Sequence, residues 1–106
     1  MVTNYKLVFS KIASQDLDDT FNYISCCLNA PKAAASLMSQ IHRQIKLLTV
    51  TPYMCPACSD PIFSRFGYRK LVIQNYLVIY YVDEKSKSVY IVRVFYGKSN
   101  YASFIE

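Results

Sequence analysis

The stretch that decides the fold runs Gly67-Tyr68-Arg69-Lys70-Leu71-Val72-Ile73, breaks at Gln74-Asn75, continues Tyr76-Leu77-Val78-Ile79-Tyr80-Tyr81-Val82, turns through Asp83-Glu84-Lys85-Ser86-Lys87 and ends Ser88-Val89-Tyr90-Ile91-Val92-Arg93-Val94-Phe95-Tyr96. Three runs of β-branched and aromatic residues with short polar breaks predict consecutive antiparallel strands joined by hairpins. Simple alternation sets Val89, Ile91, Arg93 and Phe95 on one face and Tyr90, Val92, Val94 and Tyr96 on the other. Both faces are largely apolar, so both need cover. A chain of 106 residues has one helical layer to offer, which leaves the far side of the sheet for another molecule.

Working outward, Tyr5 to Phe9 reads as a short strand and Ser10 as a helix cap. Ala13, Leu17, Phe21, Ile24 and Leu28 then recur at helical spacing, with Asp16, Asp18, Asp19 and Asn22 on the other side. The three aspartates fall near the helix start, where the macrodipole favours them. Asn29-Ala30-Pro31 restarts the chain, and Ala34, Leu37, Met38, Ile41, Ile45 and Leu48 mark a second amphipathic helix that Thr51-Pro52 ends. So short a connection predicts an antiparallel helix hairpin on one face of the sheet. The fold class is α+β: an N-terminal strand, a helix hairpin, then a three-stranded antiparallel meander.

Residues 1–106 read as a single domain, since no linker, repeat or low-complexity segment divides them. Hydrophobic content of 53% with two glycines and four prolines excludes a disordered chain. No signal peptide opens it, and the longest apolar run, Tyr76 to Val82, is far too short to span a bilayer. A cytoplasmic protein with no membrane partner is expected.

The formal charge is +5, and seven of the twelve Lys and Arg lie from Phe63 onward, against three of the seven Asp and Glu. A basic sheet rich in tyrosine suits a nucleic acid or an acidic protein, although ordinary solvated charge has the same composition. Pro52 to Phe66 has three prolines and no period. It is either a functional loop that delivers Arg65 to the meander or a strap in which Tyr53, Met54, Ile62 and Phe63 cover the core.

Cys55 and Cys58 have the spacing of half a zinc site or a redox pair. The remaining cysteines, Cys26 and Cys27, are adjacent on a helix, where their side chains diverge by about 100° and cannot both ligate one tetrahedral ion. Free thiols, no metal and no cofactor are the expectation. His42 flanks its helix with no second histidine or carboxylate to support a general base. Arg93, among Val89, Ile91 and Phe95, needs either a paired carboxylate or a ligand.

The order of these elements resembles the RelE/ParE superfamily, the toxins of bacterial type II toxin-antitoxin modules. The resemblance runs through Tyr5-Lys6-Leu7-Val8-Phe9-Ser10, Asp16-Leu17, Tyr23-Ile24, Ala33-Ala34 and Leu48 with Pro52. It is densest in Gly67 to Val72, Asn75 to Val82 and Val89 to Lys98. It implies a toxin held inactive by a cognate antitoxin encoded beside it, which buries the exposed apolar surface at about 25 cal/mol for each Å². It leaves open whether the toxin works as a monomer or a homodimer.

The family divides by target. ParE-like members poison DNA gyrase, whereas RelE-like members cut messenger RNA on the ribosome with Lys and Arg of the meander and a C-terminal Tyr or His. Here Arg69 stands at one basic position, but Leu71, Leu77 and Ser99 stand at others, and Leu71-Val72, Asn75 to Tyr80 and Val92-Arg93-Val94 look ParE-like. The resemblance therefore implies gyrase as target, with Arg65, Arg69, Lys70, Arg93, Tyr96 and Lys98 touching target or nucleic acid. The RelE-like alternative implies an endoribonuclease using Arg69, Arg93, Lys98 and Tyr101.

Overall fold

The computed structural model describes residues 4–55 and 67–96. Along them run β1 (Lys6–Phe9), α1 (Lys11–Asn22), a π-helical turn (Tyr23–Cys27), α2 (Pro31–Leu47), β2 (Arg69–Ile73), β3 (Tyr76–Asp83) and β4 (Ser88–Tyr96). The strands form one sheet ordered β1-β4-β3-β2, antiparallel except for β1, which lies parallel to β4 with Leu7 beside Val89 and Phe9 beside Ile91. The strand, helix pair and meander read from the sequence are all present.

The hairpins follow from local chemistry. Gln74 takes φ 55° in the two-residue turn between β2 and β3, and Lys87 takes φ 52° before β4. Asp83 shapes the second turn by accepting from the Lys85 N–H and the Ser86 hydroxyl, both at 3.0 Å. One face of the sheet packs Leu71, Ile73, Val78, Tyr80, Val89, Ile91 and Val94 against Ala13, Leu37, Ile41, Ile45 and Leu48. The 3.6-residue stripe of α2 and the two-residue period of the strands thus meet in one core.

Four details depart from simple periodicity. In β4, Ile91 lies opposite Tyr80 and Arg93 opposite Ile79, so Val92 is an extra, bulged residue. The bulge reverses the alternation beyond it, which puts Val94 rather than Arg93 in the core with Val89 and Ile91. The π-helical turn shifts the phase of the chain beyond it in the same way, so Leu28, expected inside, is 55% exposed; Phe21, which precedes that turn, is 37% exposed at the margin of the buried stripe.

The aspartates do not serve the helix dipole, because α1 begins at Lys11 and its first turn holds no acid. Nor is the far side of the sheet open throughout: Leu77 and Ile79, which alternate with the core-facing residues of β3, are buried too. What stays accessible there includes Val8 and Val72.

Candidate functional surface

The open edge of β4 organises the surroundings of Arg93. β1 pairs with β4 only as far as Ile91, and α1 supplies the partners beyond that point. The Ser10 N–H donates to the Ile91 carbonyl at 2.9 Å, and the Ser10 hydroxyl donates to the carbonyl of the bulged Val92 at 2.7 Å. That same hydroxyl oxygen caps α1 by accepting from the Ala13 N–H at 2.9 Å. One turn later Asp16 accepts from the Val94 N–H at 3.0 Å and from the Arg93 guanidinium at 2.8 and 3.1 Å. Edge groups that would otherwise be left to water are satisfied by the start of one helix.

Arg69 is engaged on the other side of β3. It lies opposite Tyr80, donates to the Cys55 carbonyl at 2.6 Å and sits 4.9 Å from the centroid of the Tyr53 ring. Tyr53 and Tyr5 both donate to the Glu84 carboxylate, which also pairs with Lys87 at 2.9 Å. These donors hold the Glu84 carboxyl at a pKa of about 2, the Tyr53 hydroxyl contributing most, and the same bond pushes the Tyr53 phenol up to about 12. Behind the clamp the Tyr80 hydroxyl donates to the Pro52 carbonyl at 3.0 Å, and burial raises its pKa.

On the far face Tyr68, just before β2, stacks in a row with Tyr81 of β3 and Tyr90 of β4, with centroids 5.8 and 5.0 Å apart. Lys70, half-buried, lies opposite Ile79 on the same face. Tyr96 belongs elsewhere. It meets Tyr76 edge-on, centroids 5.6 Å apart, in a groove of about 650 Å³ between the α1 end and the ends of β3 and β4.

The structure therefore separates the residues singled out from the sequence. Arg69 and Arg93 flank β3 with different partners, Lys70 is on the far face, and Tyr96 lines the groove. Arg65, Lys98, Tyr101 and Cys58 lie outside the described residues. Cys55 is buried, Cys26 and Cys27 are exposed, and no group of three metal-ligating side chains occurs among the described residues. No helix among them is long and apolar enough to cross a membrane. His42 is exposed.

Sequence reasoning missed Asp16 as the partner of Arg93 and Glu84 as the centre of a clamp. The first was signalled only by an arginine in an apolar strand, which demanded a carboxylate without saying which. The second joins residues 5, 53 and 84, and nothing in the linear order announces that meeting.

Residues 7–101 match the family model described as ParE toxin of type II toxin-antitoxin system, parDE. Among solved structures the chain is similar to one from the chromosomal ParDE system of P. aeruginosa, with TM-score 0.70, 21% identity and coverage of 89% of this chain and 97% of that one. It is also similar to chains of the RelBE2 toxin-antitoxin complex of Mycobacterium tuberculosis (TM-score 0.61, 18% identity, 88% and 98% covered) and of the intact E. coli RelBE complex (0.62, 13%, 90% and 99%). At these identities the structural likenesses speak for the fold alone. No curated protein matches the sequence.

Proposed function

We propose that this chain, which belongs to the family of ParE toxins of type II toxin-antitoxin systems, arrests growth by binding DNA gyrase rather than by cutting RNA, and is neutralised by a cognate antitoxin encoded beside it. The observation that carries this reading is the engagement of Arg93 by Asp16. A ribonuclease needs cations converging on the scissile phosphate to stabilise the charge that develops there, together with a group that activates the 2′-hydroxyl. Arg93 instead spends its charge on a carboxylate of its own chain, and Arg69, across β3, spends its own on a carbonyl and a ring.

The antitoxin is supported by the company the fold keeps, since similar structures come from toxin-antitoxin systems. Large apolar side chains also stand exposed at Tyr23, Leu28, Val72 and Tyr96. The test adds purified protein to gyrase and supercoiled plasmid. Accumulation of linear DNA, suppressed by the antitoxin, is expected; unchanged supercoiling with no linear product would remove gyrase as the target.

A further inference from the structure

Among the described residues, the groove beside Tyr96 presents an uncompensated carboxylate on a chain that is basic as a whole. The protein carries +5 overall, yet the charged side chains among the described lining residues are Asp16 and Asp19. Asp16 is committed to Arg93 and Val94. Asp19 is exposed, and one of its oxygens accepts from Gln15 at 2.9 Å, which leaves the other facing solvent at the rim.

The remaining walls are aromatic and aliphatic. Tyr76 and Tyr96 form an edge-to-face pair, which keeps ring faces on offer to a third group. Tyr23, 56% exposed, and Leu28, 55% exposed, bring the opposite wall from the π-helical turn. Burial raises the Tyr76 phenol, and Tyr96 and then Tyr23 raise it further, so the three hydroxyls share one neighbourhood. Ring faces with a carboxylate beside them attract a cation that brings apolar surface with it.

We propose that this groove is where the antitoxin docks, and that it takes a segment whose anchoring residue is an arginine or lysine, laid on the Tyr76 and Tyr96 rings with its charge opposite Asp19. The inference rests on the reading that the chain is neutralised by an antitoxin, and it adds which surface is covered and by what chemistry. The proposal puts a basic residue of the antitoxin at this one point, although the chain it meets is itself basic. Charge complementarity of that kind fixes register as well as affinity.

The experiment titrates the full chain with the protein encoded beside it, by calorimetry at low and high salt, for the unaltered chain and for Asp19→Asn, Asp19→Lys and Tyr96→Ala. Asp19→Lys and Tyr96→Ala are expected to weaken binding at least about tenfold, and Asp19→Asn to flatten its salt dependence. Asp19 and Tyr96 are exposed, so thermal midpoints should stay near that of the unaltered chain, and a Tyr96 variant that has lost its cooperative transition is replaced by Tyr96→Leu, which removes the ring but keeps apolar bulk and is expected to weaken binding likewise. Binding within about twofold of the unaltered chain for both Asp19→Lys and Tyr96→Ala would overturn the groove while leaving the antitoxin in place. Failure of the unaltered chain to bind that protein at all would overturn the antitoxin reading, and the groove with it.

Discussion

Asp16 of α1 grips Arg93 of β4 through both carboxylate oxygens, at 2.8 and 3.1 Å, with the two side chains only 14% and 17% exposed. The pair joins the first helix to the last strand across 77 residues of sequence. It explains how an arginine is tolerated in a strand of valines and isoleucines.

Replacing Asp16 with alanine is expected to cost about 3 kcal/mol, because it strips the carboxylate from a largely buried guanidinium and takes a bond from the Val94 N–H. Asp18→Ala, at an exposed position of the same helix, should shift stability by less than about 0.5 kcal/mol. Urea unfolding measures both. Equal, small effects would show that the pair is not a structural tie.

Ser10 serves two elements with one hydroxyl, as donor to Val92 and as helix cap. Ser10→Ala should therefore destabilise by about 1.5 kcal/mol, more than the loss of a simple surface cap, and Ser10→Thr should restore most of it. Hydrogen exchange at Ala13 and at the amides of α1 would report the loosened helix start. Unaltered protection there would count against the double role.

The Glu84 clamp sets a pH window. Its folded pKa lies at about 2, below the ordinary 4.5, so its stabilisation is complete above about pH 4.5 and is lost as pH falls toward 2. Tyr53 sits on the opposite limb. Its pKa is raised from 10.0 to about 12, so its share is complete below pH 10 and is lost as pH rises through 12. Thermal midpoints followed against pH should fall less steeply on the acid side for Glu84→Gln than for the unaltered chain, and Tyr53→Phe should flatten the alkaline side. Parallel curves for all three proteins would dissolve the clamp.

Much of the architecture was legible because local signals agreed. Ser10, Pro31, the Asp83 to Lys87 turn and the stripe of Ala34, Leu37, Ile41 and Ile45 each pointed to the element observed. Two insertions of phase escaped the period: the bulge at Val92, which exchanges Arg93 and Val94 between faces, and the π-helical turn, which exposes Leu28. Neither residue type nor spacing marks such a step, and the bulge is stabilised by partners far away in sequence, Ser10 and Asp16. The surface was harder still. Tyr76, Tyr96 and Tyr23 come from three elements, and only the folded sheet brings them to one groove.

The central claim, that this toxin works by binding and not by cleavage, is tested most directly by mapping the 5′ ends of messenger RNA in a translating extract that contains the purified protein. The account predicts message with no new ends at a dose that converts gyrase-bound plasmid to linear DNA. Codon-phased cuts on ribosome-bound message, abolished by Lys98→Ala or Tyr101→Phe, would contradict it.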